Sequence, residues 1–116
     1  MKWTKLDSSG QLDFIKKESI EKTILIFKHS TRCNVSRTTL DRLERNWKED
    51  EMQHVSAYFL DLISYREISS QIAAQFGVDH ESPQVLVVKN GVSVYDRSHF
   101  DISYEDIRDA SLPSKN

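Results

Sequence analysis

Cys33 is the only thiol in a chain of 116 residues, and it stands in the polar run His29-Ser30-Thr31-Arg32-Cys33-Asn34-Val35-Ser36. Such company suits an accessible thiol better than one packed away as a small hydrophobe. From Lys28 to Lys48, six basic side chains (Lys28, Arg32, Arg37, Arg42, Arg45 and Lys48) stand against two acidic ones (Asp41 and Glu44). This window is +4 inside a chain of formal charge −2, so the remainder carries −6. Nearby cations and the free N–H groups of a helix start both favour an anion, and the thiolate is the nucleophilic form of cysteine. Thiol–disulfide exchange is therefore within reach of this segment. Three residues on, Ser36 fills the place where a dithiol oxidoreductase carries its second cysteine. With no resolving thiol in the chain, a mixed disulfide on Cys33 must be released by a thiol from another molecule. The Ser36 hydroxyl either meets the substrate or makes a local hydrogen bond in the first helical turn.

The rest of the composition mainly excludes. One cysteine allows no internal disulfide and no zinc site built from several thiolates. His29, His54, His80 and His99 lack the short paired spacings of a metal centre, so no metal is expected. A sequence pI near 6.1 carries no electrostatic footprint for nucleic acid. The longest apolar runs, Ile24 to Phe27 and Val85 to Val88, fall far short of the roughly 20 residues that cross a bilayer. Residues 1–14 hold no apolar stretch like a signal-peptide core. A cytoplasmic protein, with neither nucleic acid nor membrane as partner, is the expectation. No linker or repeat divides the chain, which reads as one domain over 1–116 with a frayed tail at 111–116.

The elements that must hold Cys33 in place follow from periodicity. A first helix is expected near residues 9–19, with Leu12, Ile15 and Phe14 turned inward. Thr23 to Lys28 is a continuous apolar run suited to a central strand. Asn34 to about Lys48 places Leu40, Leu43 and Trp47 on one helical face. Val55 to Ile63 reads as a strand, and Arg66 to Phe76 as a helix stopped by Gly77. Gln84 to Lys89, Asn90-Gly91 and Val92 to Arg97 form a hairpin, since Asn-Gly supplies the two positive-φ positions of a type I′ turn. Ser103 starts a last helix, to about Ala110, with Ile107 inward. The order αβαβαββα predicts a four-stranded mixed sheet with helices on both faces, its first two strands parallel across a helical crossover. Cys33 then lies at the first strand-to-helix turn, and Pro83 immediately before the hairpin's first strand.

These residues together resemble the thioredoxin-like superfamily: a CxxS at a strand-to-helix turn, the helix end Ile72 to Val78 (IAAQFGV), and Ser82-Pro83 before QVLVVKNG. Within it the chain is most similar to the monothiol bacilliredoxins of the bacillithiol system. That likeness rests on His29 to Ser36, on His80-Glu81-Ser82-Pro83-Gln84 and on Ser98-His99-Phe100. The resemblance implies an α/β, thioredoxin-like three-layer fold and a cis Pro83 beside Cys33, leaving the Ser82 backbone free to pair with an incoming peptide or thiol. It also implies an oxidoreductase that removes bacillithiol from bacillithiolated client proteins through a Cys33 mixed disulfide. Cys33 would be catalytic, and Thr31, Arg32, Asn34, Ser36, Arg37, Ser82 and Pro83 would bind substrate. Bacillithiol would be the thiol co-substrate, with no bound cofactor, and a recycling reductase or dithiol partner would regenerate the enzyme. Bacillithiol's malate portion carries two carboxylates, for which Arg32, Arg37 and the helix start are chemically suited, whereas Arg42 and Arg45 read as a solvated helix face.

The chain departs from related patterns at two places. The glycine pair usual in glutaredoxins after the hairpin is missing, with Ser98-His99 near that region, and Asn34 follows the cysteine where proline is common, leaving a backbone N–H. Two other functions fit the same residues. Two copies with two external thiols would hold an iron–sulfur cluster through Cys33, or the domain would be a noncatalytic interaction module with an incidental cysteine.

Overall fold

The structure, a computed structural model, describes residues 1–112. Nine regular elements follow one another: β1 (Trp3–Lys5), α1 (Gly10–Glu18), β2 (Thr23–His29), α2 (Asn34–Asn46), β3 (Val55–Asp61), α3 (Arg66–Phe76), β4 (Gln84–Lys89), β5 (Val92–Ser98) and α4 (Tyr104–Ser111). Short 3-10 turns fill Glu49–Glu51 and His99–Asp101.

The sheet has five strands in the order β1-β3-β2-β4-β5. Strands β1, β3 and β2 run parallel, while β4 is antiparallel to β2, and β5 to β4. The sequence expectation of four strands misses β1, whose three residues are too few to display a period-two pattern. Their place is set instead by pairing with Ala57, Tyr58 and Phe59 of β3.

All seven residues of β2 are buried, as its unbroken apolar run requires of a strand covered on both faces. Ile24 and Ile26 join Leu12, Ile15, Ile68, Ile72 and Phe76, the side covered by α1 and α3. Leu25 and Phe27 join Leu43, Met52, Ile102 and Ile107, the side covered by α2 and α4. Phe14, expected inward, is 59% exposed, because the α1 face is already filled by Leu12 and Ile15. Helix α2 ends at Asn46, so Trp47 packs on the second core half-buried from an extended position just beyond it. Strand β3 stops at Asp61, two residues before its expected end.

The two turn signals act as their chemistry predicts. Gly77 closes α3 at φ +65°, and the hairpin turn has Asn90 at φ 52° and Gly91 at φ 77°. The tail expected at 111–116 includes Ser111, which belongs to α4. Ser111 is buried as the last residue of α4, its carbonyl accepting from the Thr23 hydroxyl at 3.3 Å. Residues 113–116 lie outside the described part.

Candidate active site

Strand β2 delivers its C-terminal end to the start of α2, and Cys33 sits between them as the N-cap of that helix, extended at φ −111° and ψ 119°. Its N–H donates to the Ser30 carbonyl and its carbonyl accepts from Arg37 N–H, both at 3.2 Å. These bonds hold the half-buried thiol at the helix start, whose first turn carries no acidic residue. The free N–H groups of the helix start thus lie at the residue whose sulfur reacts as an anion.

Ser36 resolves the choice left by its residue type in favour of a local bond. It is fully buried, with its hydroxyl 2.6 Å from His29 Nδ1 and accepting the Ser30 N–H at 3.0 Å. Three consecutive features, the end of β2, the loop and the first turn of α2, are pinned by this one oxygen. The position of a second thiol is therefore occupied by a buried serine that pegs the loop.

A cleft of about 600 Å³ opens beside the thiol. Ser30, Arg32 and Cys33 form one wall, and Leu62 and Ile63 beyond β3 another. Arg66, Ser69 and Ser70 close it from the first turns of α3, and His80 and Ser82 from the loop leading to β4. In that loop the Ser82–Pro83 bond is cis, and the Pro83 carbonyl accepts His99 N–H at 3.0 Å. Since Gln84 pairs with Lys28 across the β2–β4 ladder, the residue before the strand arrives level with the loop that carries Cys33.

Of the residues expected at the site, Cys33, Arg32 and Ser82 therefore share the cleft wall. Thr31, Asn34 and Arg37 are exposed around the helix start, where Arg37 Nη2 donates to Asn34 Oδ1 at 3.1 Å. Pro83 is buried behind Ser82. Ser82 Oγ lies buried with no hydrogen-bond partner among the described residues. Arg42, read as a solvated helix-face residue, instead donates to the carbonyls of Phe100 and Ile102, tying α2 to the turn after β5.

Sequence reasoning did not place Arg66 or Ser69 at the site, gave His80 no chemical role and counted Lys28 only among the cations near the thiol. Arg66 and Ser69 come from a helix far along the chain, and nothing local marks them. Lys28 did carry a signal, as a charged residue ending a run otherwise apolar. It is fully buried, and burial pushes its ammonium down to about 8. His80 is held below the usual histidine range by burial and then by the charge of Lys28, with Glu81 opposing. Burial likewise lowers His29, against the opposing charge of Asp61. Both imidazoles are neutral at pH 7.

Comparison with known proteins settles the family. The family model described as "Monothiol bacilliredoxin BrxC" matches residues 4–107. The chain belongs to the monothiol bacilliredoxins. Among solved structures, this bacilliredoxin is similar to a protein described as an oxidoreductase candidate with a thioredoxin fold, at 31% identity and TM-score 0.79, covering 93% of this chain and 92% of that one. It also superposes on a thioredoxin of Fasciola hepatica (19% identity, TM-score 0.66, 90% and 92% covered). A thioredoxin of Malassezia sympodialis is comparable (19% identity, TM-score 0.69, 94% and 87% covered). The last two likenesses concern the fold alone. The bacilliredoxin thus has a thioredoxin-like fold and a redox role in thiol chemistry. Among its described residues no group of three or more His, Cys, Asp or Glu is placed to hold a metal ion, and no helix is long and apolar enough to cross a membrane.

Proposed function

We propose that this bacilliredoxin removes bacillithiol from bacillithiolated cytoplasmic proteins by monothiol exchange at Cys33. The observation that carries this reading is the lone thiol at the N-cap of α2, opening on a cleft walled by Arg32 and Arg66, with a serine buried at the position of a resolving thiol. The Cys33 thiolate attacks the bacillithiol sulfur of the modified protein. A new S–S bond forms at Cys33, the old one breaks, and the client thiolate departs and is protonated. A second thiol, from bacillithiol or a dithiol partner, then attacks the Cys33 mixed disulfide and restores the free enzyme.

Arg32, Arg37 and Arg66 offer guanidinium groups to the paired carboxylates of bacillithiol's malate portion. Thr31 and Asn34 flank the approach, and the Ser82 backbone before Pro83 pairs with the client chain. Ser36 serves by holding the loop. A peptide bearing one bacillithiolated cysteine tests the reading. Mixed with the protein, it should lose its bacillithiol while Cys33 gains the same mass by intact mass spectrometry, and Cys33→Ala should do neither. Equal release by Cys33→Ala overturns it.

A further inference from the structure

Lys28 stands alone among the described lysines, arginines and carboxylates in being buried. A charged group kept in such a place is costly unless it is bonded there, so its surroundings have to account for it. Its Nζ lies 3.5 Å from the Ser69 carbonyl oxygen and 3.5 Å from Nδ1 of His80. The Ser69 hydroxyl is 3.2 Å from the same nitrogen. An ammonium only donates, so the Nδ1 that faces it accepts, and the proton of the neutral ring is on Nε2. His80 is exposed and, like Cys33, lines the cleft. A chain of donors thus runs from the buried amine, through the ring, to the space beside the thiol.

We propose that His80 supplies the proton taken up by the thiolate that leaves when Cys33 attacks a disulfide, with Lys28 replacing that proton from beneath. This deepens the exchange reaction proposed above and rests on it. As the new S–S bond forms at Cys33 and the old one breaks, the electron pair goes to the departing sulfur. That sulfur takes the Nε2 proton of His80 while Lys28 passes one to Nδ1 and becomes a neutral amine. In the second half of the cycle an incoming thiol gives up its proton along the same path in reverse. Its thiolate then cleaves the mixed disulfide, and Lys28 is again an ammonium. Protons and electrons balance over the cycle with only the two thiol substrates taking part.

The energetics suit this exchange. Lys28, lowered to about 8 by burial, is close to the ordinary thiol value of roughly 8.5, so a proton passes between them at little cost. His80, kept neutral by burial and by Lys28, relays a proton without storing one. The other charges facing the path are Glu81, which is 3.4 Å from His99, and Arg32 and Arg66 on the cleft walls. The guanidinium groups stay protonated throughout and cannot join the relay.

The test compares two symmetric disulfides as probes, hydroxyethyl disulfide and the aryl disulfide dithiobis(nitrobenzoate), following the Cys33 adduct by intact mass. The alkyl thiolate needs a proton on leaving and the aryl thiolate does not, so the ratio of alkyl to aryl rates reports the relay. In His80→Gln, which keeps the polar surface but cannot pass a proton, this ratio should fall about tenfold or more. In Lys28→Met it should fall similarly and lose its dependence on pH, whereas the wild-type ratio declines as pH rises past about 8. A ratio within about twofold of wild type in His80→Gln overturns the proposal, whether the two rates are unchanged or equally slowed. Neither probe contains bacillithiol. If the bacillithiolated peptide yields no Cys33 adduct while the ratio still falls, the substrate reading fails and the relay stands.

Discussion

The Ser36 hydroxyl lies 2.6 Å from Nδ1 of His29, joining the last residue of β2 to the first turn of the helix that carries the thiol. Because the same oxygen accepts the Ser30 N–H, it satisfies a buried imidazole and a half-buried backbone group together. Ser36→Ala leaves both without it, and the expected loss is about 1–3 kcal/mol, read as a lower midpoint in urea unfolding. An unchanged midpoint would mean that the bonds contribute nothing net.

Lys28 gives a stability effect of opposite sign. Its folded-state value of about 8 lies below its ordinary 10.5, so the penalty for burying the ammonium is full below pH 8 and fades as pH rises between the two. Lys28→Met fills the same space with an apolar chain. It should raise the melting temperature at pH 7, with the advantage over wild type shrinking at pH 10 in thermal scans.

The histidines give the acid limb. His29 and His80 are both lowered by burial, so on going below about pH 6.5 the unfolded chain takes up protons that the folded one refuses. Stability should therefore decline from pH 7.5 to 5.5, before most carboxylates titrate. His80→Gln removes one of the two contributors and should shrink that decline, as measured by paired melts at the two pH values.

Arg66 reaches the cleft from the first position of α3, opposite the Arg32 wall. Arg66→Gln should raise KM for a bacillithiolated peptide by roughly five- to thirtyfold, the range of a charge-assisted hydrogen bond of about 1–2 kcal/mol. Steady-state kinetics at low and high salt should show the gap between variant and wild type narrowing as salt screens the charge.

Gly77 tests backbone geometry without packing. A Cβ there meets nothing within 4 Å, yet φ is +65°. Gly77→Ala should cost about 1 kcal/mol through the left-handed conformation alone. A larger loss would point to a contact elsewhere.

Most of the sheet is legible in the chain because its signals are local. The apolar run of β2, the Asn90-Gly91 turn and Gly77 each act through their own neighbours, and the structure keeps all three. Strand β1 is not legible, since three residues acquire strand geometry only by pairing with β3. At the site, Cys33 is marked by its own surroundings, while Arg66, Ser69 and His80 converge on it from distant positions that no spacing rule connects. Ser36 is half legible: its residue type announces a hydrogen bond, but the partner is His29, and only the packing of α2 on the sheet buries that bond. Lys28 announces itself as an anomaly in an apolar strand, yet what it touches depends on where α3 and the loop after it fall.

The sheet order carries one more consequence. Strands β1 to β3 with their crossovers come from the first part of the chain, and β4 with β5 form a hairpin closed by a two-residue turn. The hairpin pairs neighbours in sequence, while the β2–β4 ladder that joins it to the rest brings together residues such as Phe27 and Val85. Cys33 and Lys28 belong to one group, and His80 and Ser82 reach the cleft only when that ladder zips. The reactive cleft is thus a seam between two parts of the chain, complete only where that ladder is paired. A chain in which the ladder is unpaired would carry Cys33 without its facing wall, so cleft-dependent chemistry at Cys33 reports that the two parts have joined.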